Sequence, residues 1–176
     1  MKIFINAGHG GNDPGAVSKK GTKEADITRK VSSLLACQLI QNGFNVEFFQ
    51  QKKSFTEVSQ AENSSNSDLF ISIHCNSWTD SKANGVEVLH YPTSTKGIKC
   101  ARIIQNELIE ATTLKDRGIK ARSDLHVLRK TKATAILVEL AFLSNPEEEI
   151  LLLKNPEKFS DAIFKGIKKI FTEKIL

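Results

Sequence analysis

Lys2-Ile3-Phe4-Ile5-Asn6-Ala7-Gly8-His9-Gly10-Gly11 (2–11) passes from an apolar extended run straight into a glycine-rich loop. Lys2 to Ala7 reads as a first strand and Gly8 to Gly15, which also holds Pro14, as a loop, since clustered glycine and proline interrupt regular structure. Beyond the loop, Ile27, Val31, Leu34, Leu35 and Leu39 recur at helical spacing, which predicts a helix over Ala25 to Asn42. Gly43 then supplies the residue best able to end that helix in a left-handed conformation, and Phe44 to Phe49 reads as a second strand.

The same alternation continues to the end of the chain. Thr56 to Ser65 reads as a short helix with Thr56 as its cap. Leu69 to Ile73 is the mostly apolar kind of strand that is buried on both faces of a sheet, and Gly85 to Tyr91 is another, closed by Pro92. Ala101, Ile104, Leu108 and Ala111 mark a third helix, while Leu125 to Leu128 and Ala135 to Leu140 read as two more strands. Asn145-Pro146 opens a helical stretch, and Phe159, Ile163, Ile167, Ile170 and Phe171 define a terminal helix. Strands alternating with helices predict a three-layer α/β domain with a largely parallel, twisted sheet flanked by helices. With no linker, repeat or low-complexity segment in view, residues 1–176 are expected to form a single domain.

Composition narrows the classes. The 176 residues are 40% hydrophobic and 26% charged, which suits a folded globular chain with a sizeable core. No apolar stretch approaches the roughly 20 residues that span a bilayer, so membrane insertion is not expected. Met1-Lys2-Ile3-Phe4-Ile5 is too short and strand-like for a signal peptide, and no small-residue cleavage site follows. The chain holds 25 Lys and Arg against 20 Asp and Glu, a formal charge of +5 that favours encounter with polyanions such as nucleic acid, anionic lipid or acidic wall polymer. The basic residues are scattered, with small groups at Lys19-Lys20, Lys52-Lys53, Arg129-Lys130 and Lys168-Lys169. No basic stripe interleaves with aromatics, so nucleic acid is not the expected partner.

Three cysteines without tight spacing argue against a disulfide framework. Cys37 and Cys100 fall on or beside apolar faces of predicted helices and read as small hydrophobes. Cys75 follows His74 directly, and strand neighbours point to opposite faces, so it reads as a core or supporting residue rather than a ligand.

Four polar residues stand out against this background: His9, Glu24, His74 and Glu139. Ligands of open α/β sheets bind outside the carboxyl ends of the strands. His9 lies just past the first strand, His74 at the end of the third and Glu139 near the end of the last, while Glu24 precedes the first helix. Two imidazoles and one carboxylate suit a catalytic zinc with an open position, and a second carboxylate beside it can handle protons. Each also has an ordinary structural reading. A lone histidine near a strand end is commonly a hydrogen-bonded structural residue, and Glu24 equally suits the positive end of its helix. Glu139 interrupts the apolar run Ala135 to Phe142, where a carboxylate is costly unless paired; structural and functional roles are evenly balanced for it on that ground alone.

The motifs that carry these residues extend over nearly the whole chain. Asn-Ala-Gly-His-Gly-Gly-Asn-Asp-Pro-Gly-Ala (6–16), Ile-Ser-Ile-His-Cys-Asn-Ser (71–77) and Leu-Val-Glu-Leu-Ala-Phe-Leu-Ser-Asn (137–145) resemble those of the zinc-dependent N-acetylmuramoyl-L-alanine amidases, found as catalytic domains of bacterial autolysins and phage endolysins. Arg117-Gly118-Ile119-Lys120 and Val127-Leu128-Arg129 resemble two further stretches of that family. The resemblance implies a phosphorylase/hydrolase-like α/β fold, zinc held by His9, Glu24 and His74, and Glu139 as the catalytic glutamate. It implies hydrolysis of the amide between the lactyl group of N-acetylmuramic acid and the L-alanine of the peptidoglycan stem peptide. Asn6 departs from the pattern, since the family usually has Asp there. If that Asp supports His9 from behind, the Asn6 amide oxygen still offers an acceptor, and zinc affinity is the property the change bears on.

The mechanism expected on this basis has zinc bind a water and polarise the lactyl carbonyl. Glu139 takes the proton as the water attacks and hands it to the departing alanine nitrogen. Asn76, His126 and Arg129 are candidate substrate contacts, Arg129 equally suiting a surface ion pair. The alternative is a zinc peptidase cutting within stem or cross-bridge peptides. A rival of another class is a non-catalytic wall-binding module with a structural polar cluster. The chain is expected to act as a monomer at the cell wall. Without an export signal of its own it would be released by a phage, exported by other means, or trimmed from an autolysin together with its wall-targeting module.

Overall fold

The computed structural model describes every residue except Lys53, so part of the Lys52-Lys53 basic group lies outside the described residues. Strands β1 (Lys2–Ala7), β2 (Asn45–Gln50), β3 (Leu69–Asn76), β4 (Val86–His90), β5 (Asp116–Ala121) and β6 (Thr134–Phe142) form one sheet. Helices α1 (Glu24–Gln41), α2 (Phe55–Ser65), α3 (Thr95–Thr112), α4 (His126–Lys130), α5 (Pro146–Lys154) and α6 (Pro156–Thr172) cover it. The strand order is β2-β1-β3-β6-β4-β5. Every pairing is parallel except that of β4 with β6.

Alternation along the strands separates two cores. Ile3 and Ile5 of β1, Leu69, Ile71, Ile73 and Cys75 of β3, and Ile136, Val138 and Leu140 of β6 face α1, α3 and α6. Phe4, Phe70, Leu89, Ala135 and Leu137 point the other way, against Val58 of α2 and Val127 and Leu128 of α4. On that second face the residues become polar toward the carboxyl edge: Asn6 follows Phe4, Ser72 and His74 follow Phe70, and Glu139 follows Leu137. Because β4 runs antiparallel to β6, its starting end lies at this edge and sets Glu87 opposite Glu139. The expected three-layer, largely parallel architecture is present. Among the described residues, no helix is long and apolar enough to cross a membrane.

Several local expectations are corrected. Leu125 to Leu128 is not a strand; Leu125 caps α4, and the adjacent Val127 and Leu128 are both buried on one side, which a helical turn permits and a strand does not. Strand β5 went unread because it is an edge strand, Asp-Arg-Gly-Ile-Lys-Ala, with no apolar alternation to announce it. The cap of α2 is Ser54, whose hydroxyl accepts from the Glu57 amide, rather than Thr56. Cys37 is exposed, whereas Cys75 and Cys100 are buried and free. Phe171 is exposed too, packing edge-on against Phe44. Strand β3 runs on through His74 to Asn76, so His74 is held within a strand.

Candidate active site

The polar edge is built around the Glu24 carboxylate. Glu24 opens α1, a position that favours an acid, and is buried. Its Oε1 accepts from the Cys75 amide at 3.0 Å and lies 3.0 Å from His74 Nδ1. Its Oε2 accepts from the Ala16 amide at 2.9 Å and lies 3.3 Å from His9 Nε2. The two imidazoles stand nearly perpendicular, at 83°, with centroids 5.0 Å apart. One donor atom from each of His9, Glu24 and His74 falls within 4.8 Å of the others, the one such group among the described residues. Two ligands of a tetrahedral zinc at about 2.0–2.1 Å lie about 3.3 Å apart, so the set fits a small divalent ion with slight adjustment.

Backbone geometry makes this convergence possible. His9 adopts φ +62°, a left-handed conformation costing about 1–2 kcal/mol for a non-glycine residue. A Cβ on Gly8 would come within 2.3 Å of the His74 ring. A Cβ on Gly15, at φ +65°, would come within 2.7 Å of both Glu24 Oε2 and the His9 ring. The Thr28 hydroxyl of α1 donates to Gly8 O at 2.6 Å and fixes the loop just before His9. Asp13 holds the far side of that ring, with Oδ2 2.8 Å from His9 Nδ1, while its Oδ1 accepts from the Gly15 amide at 3.0 Å. A carboxylate on the other imidazole nitrogen is the usual support of a metal-binding histidine.

Glu139 sits in register with His74 on the neighbouring parallel strand, its side chain on the same face. The residue is partly exposed, yet its Oε2 is buried and has no hydrogen-bond partner among the described residues. An orphaned carboxylate oxygen beside a three-donor set is costly unless something else meets it.

A family model for the N-acetylmuramoyl-L-alanine amidases matches residues 3–169. The chain belongs to that amidase family. It is 33% identical to Bacillus subtilis YqiI, with 97% of this chain and 85% of that protein covered. It is 32% identical to the germination-specific N-acetylmuramoyl-L-alanine amidase of the same organism, with 98% and 80% covered. Among solved structures, an N-acetylmuramoyl-L-alanine amidase from Clostridium difficile superimposes with a TM-score of 0.91 at 27% identity, covering 98% and 97% of the two chains. The amidase therefore acts on peptidoglycan at the cell wall. The family's bond is the muramoyl–alanine amide, which sets aside the peptidase alternative and the non-catalytic wall binder.

Other expected site residues of the amidase fall in different places. Asn6 does not reach His9. It pairs in register with Ser72, whose hydroxyl donates to Asn6 Oδ1 at 2.8 Å, and its amide donates to the Ala7 and Phe49 carbonyls. The acceptor behind His9 is Asp13 instead, which reading 6–16 only as a motif left without a role. Asn76 ends β3 and donates to Glu87 Oε1 at 2.9 Å. His126 lies at the start of α4 with Nε2 3.1 Å from the Ser59 hydroxyl of α2, and Arg129 is exposed one helical turn on.

Glu87 is a further member that the sequence left unmarked. It pairs in register with Glu139, and its Oε2 accepts from Arg117 Nε at 2.8 Å. Arg117 is steadied in turn over the Phe142 ring, 4.8 Å from its centroid. The only signal for Glu87 was a lone carboxylate in the run Gly85 to Tyr91. Behind the site, two adjacent glutamates of α5 act as ties. Glu148 accepts from the Gly85 and Phe142 amides at 2.7 and 2.6 Å. Glu149 accepts from the Ser18 and Thr22 hydroxyls, both at 2.6 Å, and so anchors the loop that leads to Glu24.

These contacts set the charges. Burial alone would lower the His9 pKa, but hydrogen bonds and charge from Glu24 and Asp13 outweigh it and push it up to about 9. Burial would raise Glu24, yet His74, His9 and the Ala16 amide hold it well below the usual carboxylate range. Glu139 is pushed up to about 8 by burial first, then by the charges of Glu24 and Glu87, with His9 and Arg122 offsetting part of the rise.

Proposed function

We propose that this amidase is a zinc hydrolase in which His9, Glu24 and His74 hold the metal and Glu139 moves the proton. The observation that carries this reading is the unpartnered Glu139 Oε2, set in register with His74 beside the three-donor group. Two imidazoles and one carboxylate suit zinc among the common divalent ions. Bound there, zinc would supply a Lewis acid for the lactyl carbonyl and lower the pKa of a water.

The chain's own residues do the remaining work. A divalent ion held by the donor group would offset the Glu24 charge and favour the ionised form of Glu139, which would make it a base at neutral pH. Glu139 accepts the proton of the attacking water and returns it to the alanine nitrogen as the C–N bond breaks. Asp13 keeps the His9 ring oriented, and Glu87, gripped by Asn76 and Arg117, holds a fixed negative charge on the other side of Glu139. Residues 1–176 act as a single, monomeric catalytic domain.

Glu139→Gln tests the assignment. The variant should retain one zinc per chain by elemental analysis while release of stem peptides from purified sacculi falls by at least about a hundredfold, the scale of lost general acid–base catalysis. Mass spectrometry of the wild-type digest should find intact stem peptides with free L-alanine amines and glycan with free lactyl carboxylates. Near-normal lysis by the variant would remove Glu139 from the mechanism.

A further inference from the structure

Trp78 is the only tryptophan of the chain, and 66% of it is exposed. Tryptophan is normally among the most buried residues on average, so an open indole at the rim of a site calls for an occupant. The backbone that carries it is fixed. The Trp78 amide donates to the Ser144 hydroxyl at 3.0 Å and the Ser77 amide to Asn76 Oδ1 at 2.9 Å. Further along the same loop, the Ala83 amide donates to Asp80 O at 3.1 Å, and the Asn145 side chain donates to Ala83 O at 3.2 Å. The indole is thus displayed from a loop tied down at both ends, next to Thr79 and Asp80, which are exposed as well.

Its location relates it to the scissile bond. Trp78 follows β3 at the carboxyl edge, four residues after His74, which caps their Cα separation at about 14 Å. In an N-acetylmuramoyl amide the sugar ring is joined to the reacting carbonyl through one ether oxygen and one carbon, so a sugar of the glycan strand lies within the indole's reach. A pyranose offers a flat face of C–H groups that suits an aromatic plane, and hydroxyls around its rim that suit Thr79 and Asp80. A stem peptide offers no such face near the cut.

We propose that Trp78 is a glycan-binding residue that stacks on a sugar ring of the peptidoglycan strand, with Thr79 and Asp80 at the ring's edge. The proposal rests on the reaction taking place at the His74–Glu139 edge. It assigns binding of the sugar chain, not chemistry, to the loop between β3 and β4.

A single tryptophan makes the test direct. Peptide-free glycan strands titrated into the zinc-loaded Glu139→Gln protein should shift the intrinsic fluorescence saturably, and free stem peptide should not. Trp78→Ala should raise KM on a disaccharide-pentapeptide about tenfold, the scale of one lost stacking contact, with kcat nearly unchanged and Trp78→Phe recovering much of the loss. On a lactyl-pentapeptide that lacks both sugars, Trp78→Ala and wild type should behave alike. Cleavage of that sugar-free substrate, together with unchanged zinc content and melting temperature, reports separately on the catalytic edge. No fluorescence response to glycan, a response to stem peptide instead, or an equal loss on both substrates would overturn the proposal.

Discussion

His74 and Glu139 face each other in register across β3 and β6, and Glu87 of β4 is the next residue along the same row. One metal-capable imidazole, one orphaned carboxylate and one clamped carboxylate therefore share a single rung of the sheet. Only the reversal of β4 allows this, since a parallel β4 would bring its other end to the site. The rung has an electrostatic order: a donor group suited to a cation, then Glu139, then Glu87 tied to Arg117.

Glu87→Gln should lower the pKa of Glu139, because the Glu87 charge is one of the causes that raise it. The acidic limb of the kcat/KM profile of the zinc-loaded enzyme should then move to lower pH by roughly half a unit to one unit. Arg117→Gln should move it the other way, since it removes a cation and leaves Glu87 uncompensated. Opposite displacements in the two pH profiles are the expected result; shifts of the same sign would mean that the pair acts through packing alone.

Metal uptake should release protons and strengthen with pH. His9 is held to about 9 without metal, so it must lose a proton to become a ligand, and below that value affinity should climb up to about tenfold per pH unit. Calorimetry in buffers of different ionisation enthalpy measures the release. Stability of the metal-free protein should follow the same groups. The raised His9 contributes fully below 6.5, and that contribution is lost as pH rises through 9. The raised Glu139 is easier to ionise when unfolded, so stability falls again between 4.5 and about 8. The depressed Glu24 contributes above 4.5 and is lost only in acid. The melting temperature of chelator-treated protein should thus decline from pH 5 to pH 9, and added zinc should flatten the decline.

Asp13→Asn should weaken zinc binding by about 10–100-fold, the usual cost of losing the acceptor behind a metal-binding histidine. Gly8→Ala should do more damage, because its methyl group would meet the His74 ring, which is held in a β-strand and cannot simply yield. Competition with a chromogenic chelator gives both affinities. Wild-type affinity in Asp13→Asn would place the support of His9 elsewhere.

Much of this arrangement was legible before any coordinates. The strand–loop–helix–strand beginning, the buried β3 and the Asn145-Pro146 start of α5 all follow from local signals, and His9, Glu24 and His74 do converge. What escaped was non-local. Strand β5 is recognisable only once β4 lies beside it, and Leu125 to Leu128 has the same apolar letters whether extended or helical. Asn6 was the expected support for His9, and Asp13 carried no expectation at all. Strand alternation turns Asn6 toward Ser72, while the tight loop at Gly10 to Gly15 folds Asp13 back onto the ring. Glu87 gains its place from the antiparallel pairing, which no spacing along the chain reveals.

The two glutamates of α5 should separate the halves of the site. Glu149 holds Ser18 and Thr22, and the short bridge between Val17 and Lys23 passes that restraint to Glu24, whose amide is bound to Ala16 O. Glu149→Ala leaves two hydroxyls without their acceptor, a cost of about 1–3 kcal/mol where they are buried. The effect should concentrate on the metal: faster zinc loss to chelator and faster hydrogen exchange over residues 16–24. Glu148 instead holds the Phe142 and Gly85 amides, three residues beyond Glu139 and two before Glu87. Glu148→Ala should disturb Glu139 and Glu87, lowering kcat and shifting its pH profile while zinc loss stays near wild type. If both variants lost zinc equally fast, α5 would be a single structural support rather than two separate ties.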